Sequence, residues 1–175
     1  MFLLRPRGRS FVRRVPQVVV IVGWLMAGAN PAHADATVLV GLATPSAPHP
    51  TIAVSWGVAR RMVGFEIEYA SATRTTGTTP SVGTIGVNLL VQLPEAVNGI
   101  RWYATGGLGI HAQSWNGGGT YGSSRSIGGG AKVPLAGPLK VRLDYRFFFF
   151  SAEEHERPPL YFHSHRISGG LTLEF

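Results

Sequence analysis

The sequence has no cysteine in its 175 residues. Neither a disulfide framework nor a thiolate metal site is open to it. Charge is also sparse, at 14% of residues. The formal net charge of +7 suggests a nucleic-acid partner until its distribution is read. Five of the 16 basic residues are Arg5, Arg7, Arg9, Arg13 and Arg14, so beyond Ala34 only 11 Lys and Arg face 9 Asp and Glu, a balance of +2. No basic stripe interleaved with stacking aromatics is left, which excludes the usual nucleic-acid footprint. Gly128-Gly129-Gly130-Ala131-Lys132 lacks the Gly-Lys-Ser/Thr ending and the following helix of a phosphate loop. After Ala34 no apolar face repeats at helical spacing.

What is present first is a leader. Arginines precede an apolar run, Val18 to Ala29, and small residues ending Ala32-His33-Ala34. This is the order of a secretory signal peptide, with cleavage expected before Asp35. Residues 1–34 are thus expected to be removed, leaving one domain, 35–175. The run falls short of the ~20 apolar residues of a membrane-crossing helix. Nothing around Arg13-Arg14 supports a twin-arginine export signal.

Beyond the leader, apolar and polar residues alternate with a period of two, the signature of strands with one apolar face. The pattern predicts eight strands: Thr37–Thr44, Thr51–Arg60, Met62–Ser71, Val82–Leu93, Ile100–Gln113, Ser124–Leu135, Leu139–Ser151 and Ser164–Phe175. Val141, Leu143, Tyr145, Phe147 and Phe149 alternate with Lys140, Arg142, Asp144 and Arg146. Ile167, Leu171, Leu173 and Phe175 lie opposite Arg166, Ser168, Thr172 and Glu174. Val63, Phe65, Ile67 and Tyr69 lie opposite Glu66 and Glu68.

The polar face carries few charges, of mixed sign, and many glycines (Gly64, Gly86, Gly107, Gly109, Gly128, Gly130). Glycine weakens a free-standing sheet, whereas in a narrow lumen it makes room. An apolar outer face in lipid requires a closed sheet, because hydrocarbon offers no partner for the amides of an open edge. Trp56, Trp102, Tyr69, Phe147 and Phe149 suit the aromatic girdles of such a barrel. With Phe175 in the periplasm, the connections Pro45–Pro50, Ala72–Ser81, Ser114–Ser123 and Ala152–His163 fall outside. The inner connections, at Arg60-Arg61, Pro94–Gly99 and Ala136–Pro138, are shorter, as outer-membrane barrels require.

The segments Val63-Gly64-Phe65-Glu66-Ile67-Glu68-Tyr69, Asn88-Leu89-Leu90-Val91, Tyr103-Ala104-Thr105-Gly106-Gly107-Leu108-Gly109, Arg142-Leu143-Asp144-Tyr145-Arg146-Phe147 and His165-Arg166-Ile167-Ser168-Gly169-Gly170-Leu171 resemble the small outer-membrane β-barrels of the OmpA/OmpX type. The resemblance implies an all-β, eight-stranded antiparallel transmembrane barrel in the outer membrane. It also implies outer-membrane lipid and lipopolysaccharide as surroundings. The ending is similar to the family's assembly signal, met by Ser168, Gly170, Leu173 and Phe175. By that likeness the barrel assembly machinery reads the last strand during insertion. No peptidoglycan-binding domain follows Phe175 in this sequence.

Several constellations invite chemistry. Glu66 and Glu68 could form a catalytic carboxylate pair. The parity instead places them in a lumen salt-bridge network with Arg101, Lys132, Lys140, Arg142, Asp144, Arg146, Arg166 and Glu174, since desolvated charges must pair. His163, His165 and Ser168 suggest a hydrolase like the barrels that deacylate lipid A, but Ser168 falls on the opposite face from Ile167, and a nucleophile needs its base within reach. His155 with these histidines suggests a metal site, against which solvated loop residues are the simpler reading. Gly117-Gly118-Gly119 is expected to be a flexible loop tip. Phe148 and Phe150 are expected to point inward near the outer rim, as a plug or as the mouth for a small apolar ligand. No cofactor, metal, nucleic-acid partner or catalytic residue is expected, and the barrel is expected to be a monomer. The leading expectation is a non-enzymatic barrel with a structural or surface-interaction role; a narrow pore and a lipid A-modifying enzyme are the alternatives.

Overall fold

The structure, a computed structural model, describes residues 33–44, 48–73, 81–94, 96–115, 118–152 and 162–175. Eight strands follow in order: β1 His33–Thr44, β2 His49–Arg60, β3 Val63–Ala72, β4 Ser81–Gln92, β5 Arg101–Trp115, β6 Gly118–Ala136, β7 Leu139–Ala152 and β8 His163–Glu174. Each pairs antiparallel with the next, and β8 pairs with β1, so the sheet is a closed barrel. Closure leaves no unpaired edge.

The facing follows the two-residue period. Ile85, Leu89, Leu143 and Leu171 are exposed on the outside, and Leu108 is 69% exposed. Glu66, Asn88, Asp144 and Thr172 are buried within. An apolar exterior around a polar interior inverts the soluble arrangement and suits a lipid surround. Trp102, Tyr69 and Phe149 also face outward. Trp56 does too, beside Ala36 and Ile67.

At one end, where β1 begins and β8 ends, the connections are tight. Arg61-Met62 joins β2 to β3 with Arg61 at φ 51°, and Gly137-Pro138 joins β6 to β7 with Gly137 at φ 53°. Asn98 and Gly99 both adopt positive φ between the bridged Val97 and Ile100. Asn-Gly is the pair that such a two-residue turn selects.

Two expectations change. Ser114–Ser123 is not an open loop. Its backbone continues the β5–β6 ladder to Trp115↔Gly118, and Gly118 and Gly119 stand in β6 rather than at a loop tip. The reason is inside the barrel, where Gln113 and Thr120 are buried and extend the inward row. β1 begins at His33, so His33 and Ala34, assigned to the leader, occupy its first two positions, and Ala34 exchanges both backbone hydrogen bonds with Phe175 (2.8 and 2.9 Å). The rest of the leader lies outside the described residues. Phe148 and Phe150 point inward as expected, and Ala43, Ala72 and Val82 line the same stretch of the lumen.

Candidate functional site: the ion-paired lumen

The site starts from β7, where Arg142, Asp144 and Arg146 recur at every second residue and so project into the lumen together. Glu66 and Glu68 do the same on β3, and Arg166 on β8. Arg142 Nη1 pairs with Glu66 Oε2, and its Nη2 donates to Asp144 Oδ2 at 3.0 Å. Arg146 donates from Nη2 to Glu66 Oε1 at 2.7 Å and from Nε to Asp144 Oδ1 at 2.9 Å. Glu68 lies 3.3 Å from Arg146 and accepts from Arg166 Nη2 at 2.7 Å. Three carboxylates thus meet three guanidinium groups, and the cluster is neutral.

Neutral side chains complete this cluster. Ser55 Oγ donates to Glu66 at 3.0 Å, and Tyr103 OH donates to Asp144 Oδ2 at 2.6 Å while accepting from Arg142 Nε at 2.8 Å. Arg142 lies over the Tyr103 ring at 4.9 Å and Arg166 over the Phe148 ring at 5.1 Å. Both Arg142 and Arg146 are 0% exposed. Charges so buried are tolerated only with pairs and hydrogen bonds replacing their water.

A second cluster sits toward the chain-terminus end. Lys132 pairs with Asp35, Lys140 pairs with Glu174, and Arg101 lies 3.7 Å from Glu174. Arg101 and Glu174 retain exposure, so water screens that pair and weakens it.

All ten residues expected in the network therefore face the lumen, divided between two clusters. Asp35, Tyr103 and Ser55 were not anticipated. All three carried the right signal: Asp35 has the parity of Thr37, Tyr103 that of Arg101 and Thr105, and Ser55 that of Thr51. Little space is left around them. A cavity of about 30 Å³ lies beside Phe148, Phe150 and Arg166, and one of about 10 Å³ beside Glu68 and Asn88. The first has room for a few water molecules. Several lumen glycines are required by this crowding: a Cβ on Gly130 would lie 2.0 Å from Leu143 O and 2.4 Å from Tyr103 OH.

Ser168 is buried in the lumen, whereas His163 and His165 face outward, so β8 holds serine and histidines on opposite faces. His165 Nδ1 is instead 2.7 Å from Tyr145 OH. No group of three metal-ligating side chains converges among the described residues; His155 lies outside them. Of the assembly-signal positions, Ser168 and Gly170 turn inward and Leu173 and Phe175 outward, with Phe175 paired to β1 through Ala34.

Solved structures share this architecture. Neisserial surface protein A (NspA) superposes with a TM-score of 0.66 at 14% identity, over 85% of this chain and 99% of that one. This is the small outer-membrane β-barrel fold. The N-terminal barrel domain of Pseudomonas aeruginosa OprF has it too, with a TM-score of 0.61 at 12% identity over 82% of this chain and 97% of the domain. The outer membrane enzyme PagL matches at 0.50 and 11% identity, over 79% of this chain and 98% of its own. No protein-family model and no curated protein matches the sequence. Identities this low show a shared fold, and the fold hosts both enzymes and other proteins.

Proposed function

We propose that the protein is exported by a cleaved leader, inserted into the outer membrane as a monomer, and serves there as a non-enzymatic barrel with a structural or surface-interaction role. In this reading the ion-paired lumen is a closed polar core. The observation that carries it is the complete burial of Arg142 and Arg146 against Glu66 and Asp144. An open pore would leave such arginines in water, while an eight-stranded barrel is just wide enough for side chains to fill. Ser168, Gly170, Leu173 and Phe175 form the segment that the barrel assembly machinery would read.

Planar-bilayer recording tests the closed core. The wild-type protein should give no discrete conductance steps at neutral pH. Steady unitary currents, diminished by bulkier lumen residues, would replace this reading with a narrow pore. For a lipid A-modifying enzyme, mass spectrometry of lipid A with and without the protein is the corresponding measurement. The separation of Ser168 from His165 favours an unchanged spectrum.

A further inference from the structure

The strands of an outer-membrane barrel have little reason to turn charge toward lipid, yet β6 does so at Arg125. This residue is exposed, faces outward between Leu108 on β5 and Phe149 on β7, and has no ion-pair partner among the described residues. Its position along the strand is informative. Outward residues of β6 are apolar or small from Leu135 to Ile127; then come Arg125, Ser123 and Tyr121. The same change occurs on β8, where Leu171 and Ile167 give way to His165 and His163. Arg125 and these histidines therefore mark the edge of the apolar band at the end away from the chain termini. A lipid-facing charge is costly at the midplane and tolerated near the headgroups.

The three basic side chains belong to one patch. Phe149 pairs with Arg125 on one side and His163 on the other, and Phe147 pairs with His165. The Phe147 ring lies 4.6 Å from that of His165 and 6.0 Å from that of His163. Tyr145 OH fixes His165 through Nδ1. With the phenol donating, Nε2 carries the ring proton and remains a donor. Planar guanidinium and imidazole donors on an aromatic bed suit a phosphate group.

Along β6, Ser123 continues this patch into a half-open groove of about 660 Å³. Outward-facing Gly83, Ala112 and Ser123 give it a floor of small residues between Tyr69 and Tyr121, and the exposed Ile85 and Ile110 make its lining mostly apolar. Added bulk at Gly83 would meet nothing within 4 Å, so no packing demand explains the glycine. A mostly apolar groove with tyrosine walls, beside a patch of donors matched to phosphate, fits an acyl chain of a lipid whose phosphate sits on that patch.

We propose that Arg125, His163 and His165 bind a phosphate of an outer-leaflet glycolipid, one of whose acyl chains lies in the groove between Tyr69 and Tyr121. The site rests on the reading that this end of the barrel faces the cell exterior. Native mass spectrometry of the mature protein in detergent tests it with three probes: bisphosphorylated lipid A, enzymatically dephosphorylated lipid A, and phosphatidylglycerol. Lipid A should be retained, and both other probes should bind about tenfold more weakly. Arg125→Gln combined with His163→Gln should remove that preference, with the variant's heat-modifiable gel mobility unchanged because no lumen contact is touched. If the double substitution fails to fold, Arg125→Gln alone should still lower lipid A retention severalfold. Equal retention of dephosphorylated lipid A would overturn the phosphate site, and equal retention of phosphatidylglycerol would overturn the glycolipid assignment. Orientation is read separately: Ser151→Cys, in a chain with no other cysteine, should react with an impermeant maleimide on whole cells. Failure of labelling would overturn the orientation, whereas labelling with unselective binding would overturn the site.

Discussion

Arg142 on β7 and Glu66 on β3 form an ion pair across the lumen although their strands are not neighbours in the sheet. The pair ties together opposite walls that backbone hydrogen bonding cannot join directly. Arg142→Ala would leave Glu66 with Arg146 as its single guanidinium partner among the described residues and remove a donor to Asp144. Breaking one side of a buried pair costs about 3–5 kcal/mol. Urea titration of the folded protein in lipid vesicles should show a loss of that size. Removing both charges with Arg142→Met and Glu66→Leu should recover most of it, because Arg146 and Asp144 remain paired. An unchanged Arg142→Ala barrel would mean that the lumen pairs do not hold the walls.

The exterior responds by a different mechanism. Leu143 faces outward near the middle of β7, so Leu143→Arg places a charge in hydrocarbon at a cost of roughly 2–4 kcal/mol. Arg125→Leu, at the edge of the band, should change stability by less than about 1 kcal/mol. The same vesicle titration distinguishes the two sites, and equal effects would contradict the placement of the band.

Gly130→Ala should destabilise the barrel by about 1–3 kcal/mol, the usual cost of overpacking. Its new methyl would strike the Leu143 carbonyl and the Tyr103 hydroxyl. Since the backbone cannot yield as a side-chain tip would, the loss should exceed that of Gly83→Ala, where the space is open. Heat-modifiable mobility on gels reports both.

Amino-terminal sequencing of protein from outer membranes should begin at Asp35. That cleavage would remove Ala34 and its two bonds to Phe175 while leaving the Asp35–Lys132 pair intact. Retention of residues 1–34 would contradict export by a cleaved leader.

The strand count and facing were legible because a sheet's side-chain period is two, and a few consecutive residues declare it. Glu66, Arg142 and Arg166 could therefore be assigned to the lumen from parity alone. Their partners could not. Which inward residues meet across a barrel depends on strand tilt and stagger, which no local pattern encodes. Asp35 was missed because the leader boundary falls beside it, and Tyr103 because its residue type carries no charge to mark it as a member of an ion network. The β5–β6 extension was hidden by Gly117-Gly118-Gly119, whose composition reads as a turn whether or not the backbone pairs.

The β1–β8 seam sets a kinetic order on assembly. Every other ladder joins consecutive strands, but this one joins residues at the two ends of the domain, with Val38 opposite Leu171 and Asp35 opposite Glu174. Such distant pairing carries the largest loop-closure cost in the molecule and slows folding accordingly. Until β8 arrives, β1 and β7 each expose a strand edge able to pair with another chain. A chain shortened by its last strand cannot form the β1–β8 ladder, and the two edges left open favour pairing with other chains. Delay in delivering that strand is thus the step at which the protein is most vulnerable.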